Sequence, residues 1–300
     1  MNKIIKKQFA FTLIELLVVI AIIGILSALI VVGMSSTTQK ATIAKGQVFS
    51  NSLRNSLMGN LVSEWKFDNI TDYNSGTKVI GTSSNNISDS WGASGYNHGT
   101  ASGGPILKEG NDCVSGKCIQ FDRTDDYVDC GNGAGLDIIG DITLETWFFA
   151  NNVTPRQDML DKHQYNVGGY AIRLEAGSII FLVDTPNQSS LTFSAGIVNN
   201  RWNHITITLS GNTAVIYLDG INKISSSALA SPKTTVYHFY IGRSFNGQMD
   251  EVRIYNAAIP TSQIQQNYFA GINKLFAKNQ INQIDYQQRL AELSSTYAKE

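Results

Sequence analysis

Hydrophobic and polar positions form three successive textures along the 300-residue chain. Residues 11–33, FTLIELLVVIAIIGILSALIVVG, are apolar almost without a break, and Glu15 is their single charged side chain. Residues 37–63 take up a helical period, with Ala41, Ala44, Val48, Leu57 and Leu61 near one face, so one long helix is predicted over 11–63. Between 64 and 258 the apolar residues fall into short alternating runs, among them CIQFD, DYVDCG, ITLETWFFA, HITITL and MDEVRIYN. Turn residues separate these runs, and SGN and LDGIN have the composition of tight hairpin turns. A helical period returns over 259–300, with one helix from about Thr261, a break near Lys278 and a second helix from about Asn282. Ile284, Leu290 and Leu293 give that second helix a partial apolar stripe, and the tail is predicted to pack on the β domain or on a neighbouring subunit.

The first texture is long enough to cross a bilayer, since a helix of that length spans roughly 35 Å. Its sixteen Leu, Ile, Val and Phe residues together favour insertion by roughly 5–10 kcal/mol, against a cost of about 2.5–3.5 kcal/mol for one carboxylate. The segment therefore inserts in spite of Glu15. Lys3, Lys6 and Lys7 precede it with no comparable cluster just after, which keeps the N-terminus cytoplasmic and sends the remainder across. A cleaved secretory signal fits less well, because the run exceeds the usual apolar core and residues 28–36 only weakly resemble its cleavage site. No basic residue within the run can neutralise Glu15, so its partner is expected on another chain.

These features together resemble the N-terminus of type IV prepilins and of type II secretion pseudopilins: a short basic leader, a small residue, then Phe-Thr-Leu-Ile-Glu and an apolar helix. The resemblance implies that residues 1–10 are a leader removed by prepilin peptidase between Ala10 and Phe11, and that the new amine of Phe11 is methylated. It also implies that Glu15 is an assembly residue, its carboxylate neutralising the Phe11 ammonium of the next subunit where neither charge is tolerated alone. Self-assembly would then run through the N-terminal helices, with the inner membrane holding the precursor. Two positions depart from the pattern: Ala10 stands where Gly is usual, and the apolar run lacks a late proline. The missing proline predicts a straighter helix and leans toward pseudopilins or minor pilins.

The middle texture predicts an all-β jelly-roll sandwich, so the whole reads as that sandwich preceded by a long N-terminal helix and followed by a short helical tail. WKFD, CIQFDRTDDYVDCG, DITLETWFFA, RWNHITITLSGNTAVIYLDGI, YIGR and FNGQMDEVRIYNAAIPTSQIQQNYFAG occur in the order seen in laminin-G-like, concanavalin-A-like domains, which they resemble. That likeness speaks to fold and not to ligand. Related glucanases carry an E-x-D-x-x-E strand, absent here, so the chain is not expected to be an enzyme. Asp122, Asp125, Asp126 and Asp129 read as acids supporting a turn and the strand after it. The four histidines show no metal or triad spacing. In related jelly rolls a structural Ca2+ is held by an Asp at the start of the last strand, which implies Asp250 here, with Asp68 as a second ligand and Asp89 as a weaker third. The alternative is that Asp250 bonds only to backbone.

A formal net charge of −1 leaves no basic stripe, which sets nucleic acid aside as a partner. All three cysteines lie beyond the apolar helix, where disulfides persist. CVSGKC closes a short loop and favours Cys113–Cys118, with Cys118–Cys130 the rival pairing and one thiol left over in either case. Trp91, Tyr96 and His98, in a Gly/Asn-rich loop, either stack on a sugar or plug the end of the sandwich. The expected function is a pilus or surface-filament subunit whose head binds a glycan or a surface protein. The alternatives are a secretion pseudopilin whose head contacts partner proteins only and, further off, a membrane-tethered glycan-processing enzyme.

Overall fold

Alternation drives the head into strands. In the strand from Ile142 to Ala150, Ile142, Leu144, Phe148 and Ala150 point into one apolar core, while Thr143, Glu145 and Trp147 point to the opposite face. The computed structural model describes residues 58–70, 76, 87–91, 97–184, 188–194 and 197–297. The chain divides into two compact units, Met1–Ser52 and Leu53–Glu300, and the described residues belong to the second. The leader, the apolar run 11–33 and the helix expected up to residue 57 lie outside the described residues, as do Ala10, Phe11, Glu15 and Tyr96.

The described strands are β1 (Leu61–Trp65), β2 (Thr100–Ser102), β3 (Ile106–Glu109), β4 (Lys117–Asp122), β5 (Tyr127–Asp129), β6 (Ile142–Ala150), β7 (Gln157–Asp161), β8 (Gly169–Glu175), β9 (Ser178–Asp184), β10 (Ser189–Ser194), β11 (Trp202–Ser210), β12 (Thr213–Leu218), β13 (Ile221–Ser226), β14 (Tyr240–Ile241) and β15 (Asn246–Tyr255). Two helices follow, α1 (Thr261–Ala277) and α2 (Gln283–Tyr297). The strands form two antiparallel sheets. One has the order β13-β12-β11-β6-β15-β4-β3, with β1 paired to the second half of β15; the other has the order β10-β9-β8-β7-β14-β5-β2. Ala176 and Gly177 join β8 to β9, and Asp219 and Gly220 join β12 to β13; both pairs have positive φ, as a two-residue hairpin turn requires.

Trp65, Phe121, Phe148, Phe181, Phe239 and Phe245 fill the core between the sheets. The outer face of the eight-stranded sheet is not left to solvent. The C-terminal helices cover it, with Trp147 stacked on Tyr268 of α1 at 5.6 Å, and the two rings share a second core with Ile272, Leu275 and Leu293. This cover explains why Glu145 and His204, on outward positions, are fully buried. They bond to each other at 2.8 Å, and Glu145 also accepts from Asn267 of α1. Burial pushes the Glu145 carboxyl up, but His204, Arg253 and Asn267 outweigh it and hold the group below its usual range.

Two expectations need correction. The helical period read as far as residue 63 ends sooner: Met58–Asn60 is a short 3-10 turn, and residues 61–65 are β1, so the head begins before residue 64. LVSEW suits a strand as well as a helix, and pairing with β15 buries Trp65 completely, a tertiary gain that decides the matter. The stripe on α2 loses one member. Ile284 is 79% exposed, whereas Leu293 and Leu290 pack in the second core as expected and Tyr286 and Arg289 complete the buried face.

Candidate functional site

β14 is only two residues long, yet it lies between β5 and β7 and places Tyr240 directly beside Asp129 on one side and Asp161 on the other. Because Val128, Phe239 and Ile241 turn inward, Tyr127, Asp129 and Tyr240 occupy the outer face of the seven-stranded sheet. Tyr240 meets the rings of Tyr127 at 5.5 Å and Tyr237 at 5.4 Å, both edge to face, and lies nearly parallel to His238 at 6.1 Å. The Arg243 guanidinium sits 5.0 Å from the Tyr240 centroid and also bonds to the Tyr237 hydroxyl. His238 Nδ1 lies 2.9 Å from Asp129 Oδ1, and Arg243 Nη1 lies 3.9 Å from Asp161 Oδ2. The result is a half-exposed aromatic platform edged by carboxylates, a histidine and an arginine. Flat π faces beside hydrogen-bonding groups of both kinds suit a ring with apolar faces and polar edges.

The platform rests on a buried lysine. Lys162, 1% exposed, donates to the carbonyls of Thr235 and Tyr237 and to Asn132 Oδ1, and lies 3.1 Å from Asp137 Oδ1. One ammonium thereby ties the segment carrying Tyr237 to the connection between β5 and β6. Burial lowers the Lys162 pKa, with Asp137 opposing. Beside it, burial raises the Asp161 carboxyl to about 6; Asp158 adds to the rise, against the His163 amide and the guanidiniums of Arg243 and Arg173.

None of the platform residues stands out in the sequence as a ligand contact, and Asp129 reads there as one of a group of turn acids. A signal is present in YHFY and DYVD, where aromatic and acidic residues share the solvent phase of the alternation. What the sequence lacks is the adjacency of β5, β14 and β7, segments more than 30 residues apart from one neighbour to the next. Asp122, Asp125 and Asp126 lie in one turn, where Asp122 accepts from the Thr124 amide and Asp126 from the Asp122 amide. Three of the four histidines lie against a carboxylate, His163 with Asp184, His204 with Glu145 and His238 with Asp129.

The loop residues expected to contact a sugar have other neighbours. Trp91 packs against Leu61, Tyr217, Tyr255, Ile259 and Ile264. His98 Nδ1 accepts from the Asp89 amide, so its proton is on Nε2 when the ring is neutral. Asp89, read as a third metal ligand, instead accepts from the amides of Glu64, Trp91 and Asn97.

Asp68 and Asp250 converge on one feature. Cys113 and Cys118 form a disulfide with Cα atoms 5.5 Å apart, leaving Cys130 as a buried free thiol. Within the loop they close, the Ser115 amide donates to Asp250 Oδ2 and the Lys117 amide to Asp68 Oδ1, each at 2.8 Å. Asp250 is fully buried, and its Oδ1 has no hydrogen-bond partner. Burial, with Glu251 next to it, pushes the Asp250 carboxyl well above the usual range. An orphaned carboxylate oxygen with a second carboxylate nearby fits a hard cation. Lys274, on Ser115 Oγ and Glu251, and Lys278, on the Gly110 and Cys113 carbonyls, border the same loop and would have to move aside.

Comparisons with known proteins agree with this architecture. The model of the prokaryotic N-terminal methylation motif matches residues 5–31, and that of the concanavalin A-like lectin/glucanases superfamily matches residues 122–265. No curated protein matches the chain in sequence. Among solved structures, the binding domain of Paraclostridial Mosquitocidal Protein 1 is 17% identical with a TM-score of 0.54, over 71% of this chain and 52% of that one. Domain 4 of AbnA, an extracellular arabinanase from Geobacillus stearothermophilus solved with arabinotriose, is 18% identical with a TM-score of 0.54, over 69% of this chain and 97% of that one. The ligand binding domain of botulinum neurotoxin serotype D, solved with N-acetylneuraminic acid, is 13% identical with a TM-score of 0.52, over 72% and 52%. The match spans about half the length of the toxin domains. At these identities the likeness establishes the fold, and 344 chains of solved structure share it, so the fold alone names no ligand. The chain thus joins a prepilin-type methylation motif to a lectin-like β-sandwich.

Proposed function

We propose that the protein is a subunit of a type IV pilus or related surface filament, with a head that binds glycans through the platform of Tyr127, Tyr237 and Tyr240. The observation that carries the reading is the half-exposed aromatic platform on a lectin-like head whose chain begins with a methylation motif. Prepilin peptidase would cut between Ala10 and Phe11, and Glu15 would pair with the Phe11 amine of the neighbouring subunit. The precursor would reside in the inner membrane with its head outside the cytoplasm. The complexes of AbnA domain 4 with arabinotriose and of the toxin domain with N-acetylneuraminic acid support a sugar as the ligand class. The head is a binding module in this reading, not an enzyme.

Binding of the full-length chain, in detergent micelles, to a glycan array tests the head's role. Y240A is expected to weaken retention tenfold or more, the scale of losing one stacked aromatic face. Retention unchanged in both Y240A and Y127A would remove the platform from the account.

A structural Ca2+ belongs to the same proposal. Asp250 Oδ1 and Asp68 would hold it with carbonyls of the disulfide loop, and its charge would neutralise both carboxylates where β15 meets that loop.

A further inference from the structure

A second concave site lies on the opposite face of the sandwich, where the C-terminal helices meet one end of the central strands of the eight-stranded sheet. Trp202 of β11, Phe149 of β6 and Gln248 of β15 stand side by side across three paired strands and form its floor. The α1–α2 turn and the first turns of α2 form one wall, and the 3-10 turn Gly110–Asp112 forms the other. The cleft has a volume of about 420 Å³, within the range of small-molecule sites. Its helical wall, residues 280–289, lies beyond the stretch matched to the lectin superfamily.

The chemistry of the lining narrows the ligand. Charge is already balanced: Arg289 is bound by Asp285 at 3.0 Å, Arg201 is paired with Asp219, and Lys108 lies 3.8 Å from Asp112. No uncompensated cation or anion remains among the described lining residues to select a charged ligand. Carboxamides supply most of the other polar surface, with Asn111 and Asn200 exposed at the rim and Gln280 fixed through its Nε2 on the Cys113 carbonyl. Phe149 and Trp202, edge to face at 5.9 Å, add the apolar part. Two buried polar atoms of the lining have no partner, the acceptor Gln248 Oε1 and the donor Arg201 Nε. Both lie just beneath the cleft surface and come within a ligand's reach when their side chains turn outward. An unsatisfied acceptor together with an unsatisfied donor, beside carboxamides that do both, calls for groups that donate and accept, and hydroxyls do so.

We infer that this cleft binds one neutral pyranose, free or as the terminal residue of a neutral glycan, with hydroxyls on the exposed carboxamides of Asn111 and Asn200 and, once its side chain turns into the cleft, on Gln248 Oε1. The inference rests on the reading of the head as a glycan-binding module and adds a site remote from the tyrosine platform.

Calorimetry and saturation-transfer NMR on the full chain in detergent micelles test it. The probes are the methyl pyranosides of glucose, galactose, mannose and N-acetylglucosamine, with N-acetylneuraminic acid as the anionic comparison. At least one neutral glycoside is expected to bind the Y240A chain, whose platform is disabled, and Q248L in that background to weaken it about tenfold. N111A, at the exposed rim, is expected to weaken it about threefold and carries the test if Q248L loses its fold. Binding that Y240A abolishes while Q248L and N111A leave it intact overturns the cleft and leaves the platform standing. Binding of the anionic sugar alone, or of no pyranoside, overturns it too; array retention lost in Y240A would then still uphold the broader reading.

Discussion

At the scale of single residues, Asp161 is the clearest case of a group held away from its preferred state. Its carboxyl titrates near 6 in the folded head, against an ordinary 3.8, because burial disfavours the charge. A carboxyl raised on folding binds more protons in the native state between those values. Its contribution to stability is therefore complete below pH 4 and is lost as pH rises to 6. D161N removes that loss while its amide oxygen can still accept from His163. The variant is expected to match the parent below pH 4 and to exceed it at pH 7 by up to about 3 kcal/mol, read as thermal unfolding across pH 3–8. Identical profiles would mean that Asp161 is charged and solvated throughout. Asp250 makes a different prediction. Millimolar Ca2+ is expected to raise the melting temperature of the parent chain by several degrees and to leave D250N unmoved. An equal response in both, or none in the parent, would exclude Asp250 as a ligand.

At the scale of elements, the relation between α1 and the sheet beneath it is the informative one. Gly271 sits in the middle of α1, where alanine normally gains about 1 kcal/mol of helix propensity. A methyl there would lie 2.1 Å from Trp147 Cζ2, and that ring is held between Tyr268 and His204. Overpacking costs about 1–3 kcal/mol and wins, so G271A is expected to lower the melting temperature, whereas a surface glycine such as Gly140, with open space around it, is expected to tolerate alanine. A stabilised G271A would mean that the helix does not seat on Trp147. Most of these elements can be read in advance. The HITITL alternation, the LDGIN turn and the break near Lys278 all reappear where the pattern places them. The pattern misleads where two periods overlap: Leu61, Val62 and Ser63 continue a helical face on paper but belong to the strand paired with β15, and Ile284 stands out by apolarity alone although the register of α2 favours Tyr286 and Arg289. The tyrosine platform stays hidden for another reason. Its residues are ordinary one by one, and their chemistry arises only when β14 sets Tyr240 between two strands remote in sequence.

At the scale of the whole molecule, two kinds of chemistry share one chain. In the proposed reading the N-terminal motif would serve assembly, through a charge pair that needs a neighbouring subunit. The head would serve recognition, through surfaces that local strand geometry builds on both faces of the sandwich. The assembly claim is the central one, because it sets where the head is displayed, and one measurement reaches it directly: mass spectrometry of the N-terminal peptide in filaments sheared from native cells. The account predicts an abundant peptide that begins at N-methylated Phe11, with the first ten residues absent. A processed peptide found only in the membrane fraction would turn the filament into a secretion pseudopilus, and a chain still beginning at Met1 would contradict the role given to Glu15 altogether.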